Sequence, residues 1–126
     1  MVSAERNFLL SKEIIDVLAV IFRSEVLMVQ HHYEGALSLL GSSTAMLKKE
    51  ADPEIFNPFL AGCYSRESKC YLEMGRLDSA MISALEALKE DKRDSRYPSD
   101  RTLEYLTQVS NLYSLMGQNK LSEKYL

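Results

Sequence analysis

This chain of 126 residues has no tryptophan, only five glycines and three prolines, and two cysteines. The scarcity of glycine and proline excludes a collagen-like or low-complexity chain, which would be rich in both. Two cysteines are too few for the disulfide framework of a small secreted domain. With 46% hydrophobic and 26% charged residues, the composition is that of an ordinary globular protein. Its length suits one domain, taken as residues 1–126.

Long apolar runs are also missing. The longest uncharged apolar run near the N-terminus, residues 17–22, is too short to cross a membrane. Charged residues around it do not fit a signal peptide. We therefore expect no membrane span.

A basic stripe is missing as well. The formal net charge is -3, and the densest basic stretch, residues 89–96, is interleaved with Glu90, Asp91 and Asp94. Binding to nucleic acid depends on a cluster of positive charge that neutralises phosphates. We expect no nucleic-acid partner.

The two cysteines, Cys63 and Cys70, are seven residues apart in a predicted helix. Their Cα atoms would then lie roughly 10 Å apart, too far for a disulfide. The same interval places both on the packed face of the helix, where cysteine serves as a small hydrophobic residue. A reducing compartment, cytoplasmic or nuclear, is the expected location.

Recognisable catalytic and ligand-binding motifs are absent. The sequence has no glycine-rich phosphate loop, no nucleophile elbow and no zinc-type set of cysteine and histidine. His31 and His32 are adjacent, so their side chains point in different directions. We expect no enzyme, no cofactor and no metal site, with a thiol hydrolase using Cys63 or Cys70 as a distant alternative.

Apolar residues recur at intervals of three and four along most of the chain, which predicts helices and not strands. The first helix runs through Leu9 to Val29 and is expected to end at His31. The second opens at Tyr33 and stops before Asp52 and Pro53, because the residue before a proline avoids the α conformation.

Four further helices are predicted. The third starts at Pro53 or at Pro58, an alternative that the sequence leaves open, and Asp52 is a possible cap. The polar residues 94–100 form a loop in which Ser99 or Asp100 caps the next helix. Whichever proline starts it, the third helix includes residues 59–74. The fourth and fifth helices are predicted at 77–92 and 101–116, and a short sixth helix at 119–126.

A pattern of an aromatic, three residues, a glycine, four residues and a small residue occurs twice. It runs from Tyr71 through Gly75 to Ala80, and from Tyr113 through Gly117 to Ser122. The first hairpin matches it in part, with Leu27, His31 and Ala36 in the corresponding places. The copies follow one another at intervals of 44 and 42 residues.

This repeat resembles the tetratricopeptide repeat, and the second copy carries most of the resemblance. Its matching residues are Tyr64, Ser68, Tyr71, Gly75, Leu77, Ala80, Ala84 and Ala87. The family repeat is usually about 34 residues long, and the longer interval here is similar to kinesin-light-chain-like versions. Glu67 stands where an aliphatic residue is usual.

The resemblance implies an all-α fold, a right-handed stack of three antiparallel helical hairpins whose last helix is short. The hairpins would cover about 9–50, 53–93 and 99–126. Small residues such as Ser68 and Ala80 would let the two helices of one hairpin approach closely.

The resemblance also implies that the first helix of each hairpin lines a concave, partner-binding surface. The chain would then be a non-enzymatic scaffold or adaptor that binds a peptide or helix of a protein partner. The residues carried over to that surface are Ser65, Arg66, Lys69, Glu73, Thr107, Gln108, Asn111 and Ser114.

Arg66 and Lys69 are three residues apart, so they share a helical face and could hold a carboxylate together. The alternative is that they are ordinary surface charges paired with Glu67, Glu73 or Asp78. A reversal of both charges that left partner binding intact would exclude the first interpretation.

The matching positions in the first copy are mostly apolar: Leu18, Ile21, Phe22, Glu25, Met28 and Val29. Residues 3–14 could fold over this surface, which is the favoured explanation because bare patches of such size are unusual. The others are a hydrophobic peptide in the groove and a second protein chain. Leu121, Tyr125 and Leu126 would be uncovered at the other end.

These uncovered ends support a second hypothesis for the function. The chain would be a structural subunit, or a fragment of a larger helical-repeat assembly, in which neighbouring chains form a homo- or hetero-oligomer.

Overall fold

The computed structural model describes residues 2–49 and 53–117. Within those ranges every regular element is an α-helix and no strand occurs, which confirms the all-α prediction. The five helices are α1 (Val2–Val29), α2 (Tyr33–Lys48), α3 (Pro53–Glu73), α4 (Leu77–Arg93) and α5 (Thr102–Leu115).

The predicted starts of α2 at Tyr33 and of α4 at Leu77 are confirmed. Helix α1 ends at Val29, two residues before the predicted end. Helix α3 begins at Pro53, and Pro58 lies inside it. Proline has no N–H, so α3 lacks one backbone hydrogen bond at Pro58 and nevertheless continues through it. The predicted cap Asp52 and the short helix 119–126 lie outside the described residues.

Among residues 2–49 and 53–117, left-handed backbone occurs at three turns. The φ angle is 62° at His31, 75° at Gly75 and 76° at Gly117. These are the three positions that the internal repeat aligns, at the same intervals of 44 and 42 residues. Glycine enters this conformation without steric cost, and His31 enters it where the first copy lacks glycine.

The hydrogen bonds of the first two turns also match. The His32 N–H donates to the Leu27 carbonyl at 2.8 Å, and the Arg76 N–H donates to the Tyr71 carbonyl at 2.8 Å. This pairing closes a helix end by satisfying a carbonyl of its last turn. The sequence repeat is therefore also a repeat of local geometry.

Helix α3 lies at the centre of the fold. It packs closely against α2 and α4 and also touches α1, while α5 packs against α4. Serines at equivalent repeat positions are fully buried: Ser24, Ser68 and Ser110. The Ser68 hydroxyl donates to the Ala80 carbonyl at 2.7 Å, so α3 and α4 approach closely where small residues were predicted.

The proposal that residues 3–14 fold over the first helix is wrong. Helix α1 is continuous from Val2 to Val29, so these residues extend the helix away from the surface that they were expected to cover. The sequence has no proline or glycine in this range that would reverse the chain. Phe22 and Val29 consequently stay largely exposed.

None of the helices in the described ranges is both long enough and apolar enough to cross a membrane.

Candidate functional site

A groove of about 270 Å³ runs between α3 and α5. Four of the eight predicted site residues line it: Lys69, Thr107, Gln108 and Asn111. The remaining lining residues are Ser68, Leu72, Glu104 and Leu112. Tertiary packing thus brings together residues that lie about 40 positions apart in the sequence.

Helical periodicity explains why these side chains share a face. Ser68, Lys69 and Leu72 on α3 are separated by one and three positions, so they occupy adjacent parts of one face. On α5, Glu104, Thr107, Gln108 and Asn111 follow the same three-and-four spacing. Each helix therefore contributes one wall.

Ser65 connects the two walls of the groove through hydrogen bonds to Gln108. Its hydroxyl donates to Gln108 Oε1 at 2.9 Å, and Gln108 Nε2 donates to the Ser65 carbonyl at 3.0 Å. Ser65 is only 3% exposed. The expectation that Ser65 faces a ligand is therefore wrong, because its hydroxyl is buried and already used to join α3 to α5.

Arg66 joins α3 to α1. Its Nε donates to Glu25 Oε1, and its Nη1 donates to the Gly62 carbonyl at 3.0 Å. The alternative prediction, in which Arg66 pairs with another carboxylate of α3 or with Asp78 on α4, is wrong, because its partner is Glu25 on α1. These two guanidinium nitrogens are therefore used within the protein, where the ion pair with Glu25 links α3 to α1.

Lys69 lies across the groove from Glu104, with Nζ and Oε1 3.5 Å apart. Both side chains are about half exposed. An exposed pair of this kind contributes about 0–1 kcal/mol. A charged ligand can therefore compete for either residue at little energetic cost.

Asn111 is exposed on the α5 wall. Its amide offers both donors and acceptors. No hydrogen bond to it is formed within residues 2–49 and 53–117. The two remaining predicted residues, Glu73 and Ser114, are exposed but do not line this groove.

A second cluster, at the loop between α4 and α5, was not predicted as a unit. Asp91 is buried and accepts hydrogen bonds from the Ser99 hydroxyl at 2.7 Å and the Thr102 hydroxyl at 2.6 Å. Hydrogen bonds from Arg96 hold the pKa of Asp94 below its usual range. These contacts fasten the loop and the start of α5 to α4, and the Ser99 hydroxyl also accepts a hydrogen bond from the Arg101 N–H at 3.1 Å. The predicted cap at Ser99 or Asp100 is wrong, because Arg101 immediately precedes α5 and no side chain caps that helix.

Cys63 and Cys70 are free and buried, as predicted. Burial raises the pKa of the Cys63 thiol to about 12 and that of Cys70 to about 11. Very little reactive thiolate is present at neutral pH in such surroundings. No group of three metal-ligating side chains occurs in the part of the chain that the structure describes.

The fold and the groove define an all-α protein with a mixed polar and apolar cleft between two helices. No protein-family model matches the chain, and no curated protein matches it. The chain is similar to the crystal structure of BtubC (BKLC) from P. vanneervenii, with a TM-score of 0.75 and 20% sequence identity. The match covers 97% of this chain and 49% of BtubC, so the chain spans about half the length of that protein. At this identity the likeness establishes a shared fold alone.

Proposed function

We propose that the chain is a tetratricopeptide-like stack in which α1 with α2, and α3 with α4, form successive hairpins and α5 opens a third. The matching turns at His31, Gly75 and Gly117 support this arrangement. The fully buried serines at the same intervals support it too, because they allow close helix contacts at equivalent places. A right-handed stack follows from the resemblance.

Within that stack, the function that the geometry supports best is non-enzymatic binding of an extended peptide from a protein partner. The observation that carries it is the groove between α3 and α5, where Lys69, Thr107, Gln108 and Asn111 meet. Its volume of about 270 Å³ suits a few residues of extended chain. A helix about 10 Å across would be too wide.

Each part of the groove has a suitable role. The amide of Asn111 can pair with a peptide N–H and carbonyl at the same time. Leu72, partly exposed at the groove, provides an apolar contact for a peptide side chain. Lys69 and Glu104 would orient a peptide that carries charge of either sign.

The thiol hydrolase alternative is weakened by the burial of both cysteines, since a nucleophilic thiol needs access and a low pKa. Two free cysteines also favour a reducing cytoplasmic or nuclear location, which is part of the proposal.

Selection of random peptides displayed on phage, with the full chain immobilised, tests the function. Selected peptides are then synthesised and their affinities measured by fluorescence anisotropy. Asn111→Ala is expected to weaken binding about tenfold, because about 1.4 kcal/mol of hydrogen bonding is lost. Lys69→Ala is expected to change the affinity of charged peptides only.

Gln30→Ala is the matched control, since Gln30 is an exposed amide outside the groove. It should bind the selected peptides as the wild type does. Failure to select any peptide, or equal affinities for the Asn111 and Gln30 variants, would exclude the groove as the binding site.

A further inference from the structure

A cavity of about 440 Å³ lies between α3, α4, the loop of residues 94–101 and the start of α5. Three small apolar side chains form part of its wall: Pro58, Ala61 and Pro98. None of the described residues lines both this cavity and the groove between α3 and α5. The cavity is therefore a second candidate site, separate from the proposed peptide groove.

Two polar side chains that line this cavity are buried. Asn57 on α3 is 9% exposed, and Tyr105 on α5 is 3% exposed. Neither the Asn57 amide nor the Tyr105 hydroxyl forms a hydrogen bond to any residue in 2–49 or 53–117. In those ranges the Ser43 hydroxyl is the one unpaired side-chain group that protein encloses completely, so both groups at the cavity remain accessible. Buried polar groups are normally paired, and these two are available to a ligand.

The charges around the cavity leave two carboxylates without a cation. Three nearby carboxylates have arginine partners, in the pairs Glu90 with Arg93, Asp94 with Arg96, and Glu104 with Arg101. Asp91 and Asp100 also line the cavity, and neither forms an ion pair in the part of the chain that the structure describes. Asp91 is only 5% exposed, whereas Asp100 is exposed. The cavity thus carries unpaired negative charge at one buried and one open position.

Burying the Asp91 carboxylate is costly unless its charge is compensated. It accepts hydrogen bonds from the Ser99 and Thr102 hydroxyls, and neither donor carries a charge. The adjacent start of α5 adds about half a positive charge at most. A carboxylate can accept about four hydrogen bonds, so Asp91 has capacity for further donors. A cation in the cavity would complete the compensation.

We infer that this cavity binds a primary alkylammonium group, with Asp91 as its counterion and Asn57 and Tyr105 as further acceptors. An alkylammonium carries three N–H donors and no acceptor. The Asp91 carboxylate, the Asn57 carbonyl and the Tyr105 hydroxyl oxygen supply three acceptors. The aliphatic stem of the ligand packs against the apolar wall, as a lysine stem packs on apolar surface.

Other small ligands suit the cavity less well. No group of three metal-ligating side chains occurs among the described residues, which favours an organic cation over a metal ion. An anion would meet the unpaired carboxylates of Asp91 and Asp100. The ammonium group can come from a free aliphatic amine or from a lysine side chain. Asp100 is available to a second ammonium, so a short diamine satisfies both carboxylates.

Titrations of the full chain, followed by heteronuclear NMR at low ionic strength, test the inference. The ligands are butane-1,4-diamine, butylamine and lysine blocked at its amino and carboxyl ends. The diamine is expected to shift the amide signals of cavity residues with a dissociation constant on the order of 0.1–1 mM. Binding of the diamine alone identifies a free amine as the source, and binding of the blocked lysine extends the site to a peptide side chain.

Two further compounds separate the ammonium from its charge and its stem. Butane-1,4-diol has the same stem without charge and should not bind. Butyltrimethylammonium keeps the charge but has no N–H donor, and its dissociation constant should be at least tenfold higher than that of butylamine. Binding of either compound as tightly as the amines would overturn the inference, as would binding of none of the three amines.

Tyr105→Phe removes the unpaired hydroxyl and is expected to raise the dissociation constants of the amines about three- to tenfold. The melting temperature should stay unchanged, because this hydroxyl has no partner among the described residues. Tyr64→Phe is the matched control, since Tyr64 is a buried tyrosine that does not line the cavity. Equal affinities of the two variants would overturn the role of the Tyr105 hydroxyl.

Asp100→Asn should raise the dissociation constant of the diamine about threefold and leave that of butylamine unchanged. Asp78→Asn, the same change at an exposed position outside the cavity, is its control. Asp91→Asn should raise the dissociation constants of all three amines at least tenfold. Peptides selected for the groove should bind the Tyr105→Phe variant as they bind the wild type, so failure of this cavity is distinguishable from failure of the peptide site.

Discussion

At the scale of single residues, Glu67 departs from the repeat pattern. It occupies a position where an aliphatic side chain is usual, and it is half-buried on α3. Burial raises the pKa of Glu67 from 4.5 to about 7, although the nearby Lys48 acts in the opposite direction. Removal of a carboxyl from water favours its neutral form, and at Glu67 this effect outweighs the attraction of the Lys48 ammonium group.

This pKa makes stability depend on pH. The folded state binds the Glu67 proton more tightly than the unfolded state, so the contribution of the neutral carboxyl is complete below about pH 4.5. It is lost as the pH rises through about 7. The loss is about 1–2 kcal/mol after allowance for the partial exposure of the side chain.

Glu67→Gln should therefore stabilise the protein by about 1–2 kcal/mol near pH 8 and have little effect near pH 5. Urea denaturation at the two pH values measures the difference. Glu73→Gln, an exposed change on the same helix, is the control and should stay within about 0.5 kcal/mol of the wild type. Equal effects of Glu67→Gln at both pH values would contradict a raised pKa of Glu67 in the folded protein.

At the scale of elements, the turns between paired helices use the same left-handed residue whether or not it is glycine. His31 has this conformation at φ 62°, and its Nδ1 lies 2.7 Å from the Tyr33 hydroxyl, within hydrogen-bond distance. Gly75 needs no such support. The first turn thus compensates locally for a residue that is less suited to it.

Gly75→Ala is expected to destabilise the protein by about 1 kcal/mol. An added Cβ at Gly75 would meet no atom within 4 Å, so the cost is that of the left-handed backbone alone. Gly41→Ala is a control for which the opposite sign is expected. Gly41 lies inside α2 with equally open space, where alanine should stabilise the helix by about 0.5–1 kcal/mol.

Thermal and urea denaturation of the two variants should give changes of opposite sign. Destabilisation by both variants would show that the added methyl group disturbs packing. The left-handed backbone at Gly75 would then not explain the effect of Gly75→Ala.

At the scale of the whole molecule, stability depends on α3, which contacts the helices on either side of it. Cys63 and Cys70 are fully buried on that helix. A reagent in solution can reach them only if α3 separates from its neighbours, which amounts to opening most of the core.

We therefore expect both thiols to be inert to a thiol-reactive reagent in the native protein. Their labelling rate should rise with urea in parallel with global unfolding measured by circular dichroism. Ser38→Cys, which adds a thiol at an exposed position of α2, should react at once and report that the reagent is active. Rapid labelling of either cysteine in the native protein would contradict the burial of both thiols and would support a thiol-based activity.

By itself, the sequence determined the all-α class, most helix limits, the turn positions at Gly75 and Gly117 and the burial of both cysteines. These features depend on periodicity and on residues a few positions apart, so a local pattern is sufficient to predict them. The resemblance of its repeat to the tetratricopeptide repeat also identified four residues that line the groove.

Only the tertiary structure decided which side chains meet across helices. Ser65 with Gln108 and Arg66 with Glu25 are separated by 43 and 41 residues, and nothing local relates their positions. The tertiary structure also decided the surroundings of the first helix, since a continuous α1 leaves Phe22 and Val29 exposed. Spacing fixes the face of a helix on which a residue lies, whereas the neighbour of that face depends on how the helices pack.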